Sequence, residues 1–148
     1  KEVENRIKNL PPEWRDIETP VGKAVGPVEV CEVNHHAYVD AMNDSFIASL
    51  RPQVFVVQVW NARHLNLNVM QSMLSQGLYT GKREIFLTHI HEITRSYLGE
   101  ASINRLTGTG GHVVIKVAAG GKQYKVILLT TDDESFRIKS VHGPYICR

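Results

Sequence analysis

Two β-branched-rich runs, His112 to Ala119 and Lys122 to Thr131, are separated only by Gly120-Gly121. Glycine takes positive φ without a Cβ penalty, and a two-residue connection between strands favours a primed turn that needs positive φ. The pair therefore reads as a tight antiparallel hairpin. The chain before it extends the same pattern. Arg83 to Arg95 alternates, with Ile85, Leu87, His89, His91 and Ile93 on one face, and reads as a long strand. Ala101 to Leu106 reads as a shorter one, and Thr107 to Gly111 as a flexible loop. Ser135 to Val141 reads as the last strand, after the turn Asp132-Asp133-Glu134.

The first half has a different period. Val28 to Val33 reads as a short strand. Val39, Met42, Phe46 and Leu50 then recur at spacings of three and four, the stripe of one helix that starts at Asn34 and stops before Pro52. His36, Asp40, Asn43 and Asp44 share another face of it. Gln53 to Trp60 is Val-rich, and periodicity does not separate a strand from a buried helical turn there. His64 to Gly77 reads as a helix, from Leu67, Met70 and Leu74. Lys1 to Leu10 reads as a short helix stopped by Pro11-Pro12, and Glu13 to Gly26 as turns.

A chain of 148 residues suits one domain with a sizeable core. The divisions expected are an arm over 1–27, a core over 28–131 and a C-terminal strand or tail over 132–148. The class is α+β, a helix laid against a mainly antiparallel sheet of about five or six strands. A net charge of +2 gives no footing for nucleic acid or an acidic membrane surface, and no apolar run is long enough to span a membrane. Cys31 and Cys147 form no disulfide framework or metal spacing. They pair only if the tail returns to the first strand; separate reduced thiols are the expectation. Lys1 to Asn5 does not read as a signal peptide, which with the thiols sets a cytoplasmic expectation.

A strand, a long helix and several antiparallel strands resemble the hot-dog fold, in which a curved sheet wraps a central helix. Val33-Asn34, with Tyr38 four residues after the Asn, resembles the second half of a motif of hot-dog thioesterases. Cys31-Glu32 stands where that motif has Gly-His, and its upstream aspartate is missing. Asn34, Ala41, Asn43 and Phe46 are spaced as in the long-chain fatty acyl-CoA thioesterase branch, which also accommodates an insertion such as residues 52–82. The resemblance covers 28–131. It implies hydrolysis of an acyl thioester, on coenzyme A or a carrier protein, without cofactor or metal, in a homo-oligomer.

Such hydrolysis needs a positioned water, a base and donors for the oxyanion. The candidate catalytic residues are Glu32, Asn34, His35, Asp40 and Asn43. Backbone N–H groups near His35 and His36 face the carbonyl, Glu32 or Asp40 acts as base, and Asn43 holds the water. His36 and Tyr38 are candidate substrate contacts, and Met70 and Leu74 candidate linings of an acyl channel. The plainer assignment makes Asn34 a cap and His36–Asp40 a solvated pair. His89 and His91 share a strand face as cupin ligands do, but the rest of that signature is absent. Two other functions stay open: a binding or assembly module of nuclear-transport-factor-like or cystatin-like type, and a small ribonuclease toxin using His112 with Lys139 or His142.

Overall fold

Glu84–Leu87 is buried along its whole length and Val54–Val57 at every position but the half-buried Val56, so neither shows alternation against solvent. Both are central strands of a parallel sheet covered on two faces, the setting that yields continuous apolar runs. The computed structural model describes Asn9 and residues 15–148. The sheet comprises β1 (Val30–Glu32), β2 (Val54–Val57), β3 (Glu84–Leu87) and β4 (Gly108–Thr109), hydrogen-bonded in that order and all parallel. A second sheet, β5 (His112–Val117), β6 (Gln123–Leu129) and β7 (Ile138–Ile146), is antiparallel.

Helices occupy the connections: α1 (Glu18–Val25) precedes β1, α2 (Asp44–Leu50) and α3 (Leu67–Leu74) flank β2, and α4 (Glu92–Leu98) and α5 (Glu100–Ile103) precede β4. The register divides the core in two. Cys31, Phe55 and Ile85 lie side by side, as do Val57 and Leu87. They pack under Ile47, Leu50, Met70, Met73, Leu98 and Ile103 of the helices. The alternate residues Val54, Val56 and Phe86 face the other way, onto Tyr124, Val126 and Leu128 of the hairpin sheet. The fold is thus α+β in three layers, helices, parallel sheet and antiparallel sheet. Among the described residues, no helix is long and apolar enough to cross a membrane.

The hairpin forms around Gly120 and Gly121, at φ of +83° and +71°, but not as a two-residue turn: the Gly121 N–H donates to the Ala118 carbonyl, and four residues, 119–122, separate the last bonded pair Ala118 and Gln123. Other expectations are corrected. The single, mainly antiparallel sheet is two sheets, one parallel. The run from Arg83 to Arg95 stays extended only over β3. His91 then caps α4, its ring nitrogen accepting from the Ile93 amide, so His89 and His91 do not share a strand face. Ala101 to Leu106 begins inside α5 instead of forming a strand. Glu13 to Gly26 contains α1, which accommodates Pro20 because a first-turn N–H needs no partner. Gly22 of α1 lets that helix close on Phe46 of α2, where a Cβ would meet the ring at 2.7 Å. The helix expected from Asn34 to Leu50 is broken, leaving only Asp44–Leu50. Residues 28–131 leave the hairpin sheet one strand short, and β7 supplies it from the last segment. Lys1 to Leu10, read as a helix, lies outside the described residues apart from Asn9.

Phe86 is completely buried where the two sheets meet. Phe86→Ala is expected to cost about 3–5 kcal/mol of unfolding free energy. Lys116→Ala, exposed on β5 of the hairpin sheet, should stay within about 0.5 kcal/mol. Urea denaturation of both checks the layering.

Candidate functional site

Parallel strands all end at one edge, so the loops that follow them gather there. His35 and His36 follow β1, His64 follows β2, His89 and His91 follow β3, and His112 follows β4. The remaining histidine of the seven, His142, lies within β7. In open parallel sheets ligands bind beyond the carboxyl ends, at a reversal of strand order. The order here runs straight from β1 to β4, so any site must be built by the loops themselves.

The loop after β1 is unusual. Its 3-10 turn, Asn34–Ala37, has His35, His36 and Ala37 at φ of 45°, 56° and 56°. Non-glycine residues pay steric strain in this region, about 1–2 kcal/mol each. Three in succession persist because their surroundings hold them. The His36 and Ala37 carbonyls accept from Leu65 and Asn66 at 3.1 and 2.8 Å, and Ala37 is completely buried. His36 Nδ1 lies 3.0 Å from the Gln58 carbonyl, and its ring stacks on His64 at 4.3 Å with the planes 8° apart. Trp60 stands edge-on to both rings and is 69% exposed.

This turn throws the His35 ring outward. Its Nδ1 meets Asp40 Oδ1 at 2.7 Å, and both side chains are solvent-accessible. With the Nδ1 proton toward the carboxylate, Nε2 carries the lone pair and is the basic atom of a histidine–carboxylate dyad. The Tyr38 ring lies 5.4 Å from the His35 ring. The dyad opens into a hollow of about 440 Å³ shared with Arg15, Ile17, Val21 and Phe46.

The remaining predicted residues scatter. Asn34 is no cap; its amide donates to Glu18, whose carboxylate also accepts from the backbone N–H of Met42 and Asn43 at 2.8 and 2.6 Å. Asn43 caps α2 through Phe46 N and donates to Asp16. Hydrogen bonds from Thr19, and then from Asn43, hold the Asp16 carboxyl below its usual value. Asn43 is therefore occupied in joining α1 to α2. Glu32 accepts from Gln58. The expected pair of His36 with Asp40 is replaced by His35 with Asp40. Met70 is 1% exposed and Leu74 packs on the same core, so neither lines the dyad's hollow. Burial, followed by the charges of Glu18 and Glu32, pushes the Cys31 thiol up to about 11, which leaves little nucleophilic thiolate. No group of three or more His, Cys, Asp or Glu is placed to hold a metal ion among the described residues.

Sequence reasoning missed Glu18, Trp60 and His64. Glu18 comes from an unforeseen helix, and Trp60 and His64 from the loop after β2, whose end reads as helical from His64 although the helix begins at Leu67. Another hollow, about 670 Å³, lies at the opposite edge beside Lys82, Glu84, His142 and Tyr145. There the Tyr145 hydroxyl donates to Glu84, which also pairs with Lys82, so its buried carboxylate is already satisfied. No family model, curated protein or solved structure matches this chain.

Burial, then the charges of His36 and His35, lowers the His64 pKa from its ordinary 6.5. The unfolded chain therefore takes up this proton at higher pH than the folded one does, and stability rises with pH across the interval. Wild type is expected to lose stability as the pH falls below about 6.5, until folded His64 also protonates. His64→Asn should lack that component, which urea midpoints at pH 7.5 and 5.5 measure.

Proposed function

We propose that this protein hydrolyses an acyl thioester, carried on coenzyme A or a carrier protein, with His35 as general base. The observation that carries this reading is the 2.7 Å contact between His35 Nδ1 and Asp40. It orients an accessible imidazole and stabilises the imidazolium formed when Nε2 takes a proton from water. The strained turn supports it, because such backbone concentrates at sites where a side chain must be held in one direction. The residue spacing of Val33-Asn34 and Tyr38, rather than the two-sheet fold, is what suggests the substrate class. Asp40 positions the base in this mechanism, and water attacks directly, since the Cys31 thiol is protonated at neutral pH. The helix-start donors first considered for the oxyanion are not part of it: α2 begins at Asp44, and Asn43 and Glu18 already engage the amides around that start.

The homo-oligomer in this reading is supported by the outer face of the hairpin sheet. Val114, Ile127 and Val141 form one line across β5, β6 and β7, with Val114 and Val141 exposed. The same stripe favours a second reading, a binding or assembly module in which the dyad is incidental. Val141→Lys should convert a dimer into a monomer by light scattering; an unchanged mass would remove the stripe from either reading.

A hydrolysis screen over short to long acyl-CoA substrates separates the two. His35→Ala is expected to lower kcat by about 10²–10⁴-fold with KM little changed. Asp40→Asn should lower it less, because the imidazole remains. Turnover retained in both variants, or absent from the wild type on every substrate, overturns the hydrolase reading.

A further inference from the structure

Tyr38, beside the His35 ring, also lines a second hollow. Tyr38, Val39, Arg63, Leu65, Thr94 and Tyr97 line it, and it measures about 270 Å³. That is smaller than the roughly 300–1,000 Å³ of a site for a whole drug-sized ligand. It has room for one ring and not for a long chain. We infer that this crevice is the acyl pocket of the His35–Asp40 site and takes a short acyl group ending in a single aromatic ring. The inference rests on the hydrolase reading and names its substrate class.

Three observations carry it. The first is proximity: Tyr38 lines the crevice and its ring lies 5.4 Å from the His35 ring, so a single side chain stands between the crevice and the dyad. The second is preformation. The crevice is built from three loops or helices locked to one another. The Thr94 hydroxyl donates to the Ala62 carbonyl at 2.8 Å, tying α4 to the loop after β2. Leu65 and Asn66 in turn donate to the loop after β1.

The third is the chemistry of the walls. Leu65, 2% exposed, belongs to the core, whereas Val39 and Tyr97 are 61% and 65% exposed and gain burial when a ligand enters. Aromatic rings favour offset or edge contact with another ring over contact with an alkyl chain. Arg63 is exposed, and its guanidinium has no hydrogen bond or ion pair among the described residues. It is free to lie over a ring face. Met70 and Leu74, which would have lined a long-chain channel, are consumed by the core.

Calorimetric titration with product acids tests this without turnover. The probes are 3-phenylpropanoate, 3-cyclohexylpropanoate and decanoate. Wild type is expected to bind the phenyl acid about three times more tightly than its cyclohexyl analogue, the discrimination of an exposed cation–π contact. Tyr97→Ala should weaken the phenyl acid about tenfold. Arg63→Gln should abolish the preference for phenyl over cyclohexyl. Val39→Asp places a carboxylate at the rim and, by repelling all three acids, gives an independent reading from an exposed position. Undiminished binding to Tyr97→Ala, no binding by wild type, or tighter binding of decanoate overturns the pocket. Those results are separable from the dyad: hydrolysis that survives His35→Ala removes the base and leaves the binding pattern standing, while loss of hydrolysis alongside normal binding to Tyr97→Ala removes the pocket alone.

Discussion

The rest of this structure depends on two short strands being covered from both sides. β2 and β3 each have four residues, and none of their apolar side chains faces open solvent. Helices seal Phe55, Val57, Ile85 and Leu87, and the hairpin sheet seals Val54, Val56 and Phe86. Parallel pairing follows from helices that cross back over one face, and it sends every strand end to the same edge. The edge is rigid because its strands cannot shift: a one-residue slip would exchange the two sets of buried side chains.

On that base the chain stores strain. His35, His36 and Ala37 adopt a conformation that an isolated peptide avoids. The loop after β2 offsets its cost through two backbone hydrogen bonds, the His36–His64 stack and the burial of Ala37. The outcome is a division of labour between adjacent histidines. His36 faces inward and is consumed by packing, and His35 faces outward and is left to Asp40. Glu18 of α1 secures the far end of the same loop by taking the Met42 and Asn43 amides. A helix N-terminal to the sheet thereby sets the position of the aspartate that orients the base.

Legibility tracked locality. The hairpin at Gly120-Gly121 was readable because its determinants are two adjacent glycines between β-branched runs. The α+β class was readable from the change of period along the chain. The parallel sheet was not, because doubly buried strands lose the alternation that marks a strand. The apparent alternation from Arg83 to Arg95 misled for the opposite reason: His89 and His91 fit a two-residue period, yet His91 is a helix cap. Of the candidate site, His35 and Asp40 were named and are in contact. Asn34 and Asn43 depend on one continuous helix and lose their roles because it breaks, whereas Met70 and Leu74 lose theirs because their helix turns them into the core.

By itself, the sequence determined the residues whose geometry is set by their immediate neighbours: the glycine turn, the β-branched strands, and an imidazole and a carboxylate five positions apart. Only the tertiary structure decided that this imidazole and this carboxylate meet. Five residues of helix would have put them on different faces, since neighbours on a helix are three or four apart. A left-handed turn brings them together, and such a turn is stable only against the loop of another strand. That support lies about thirty residues away in the chain, at His64, Leu65 and Asn66, where no local pattern announces it.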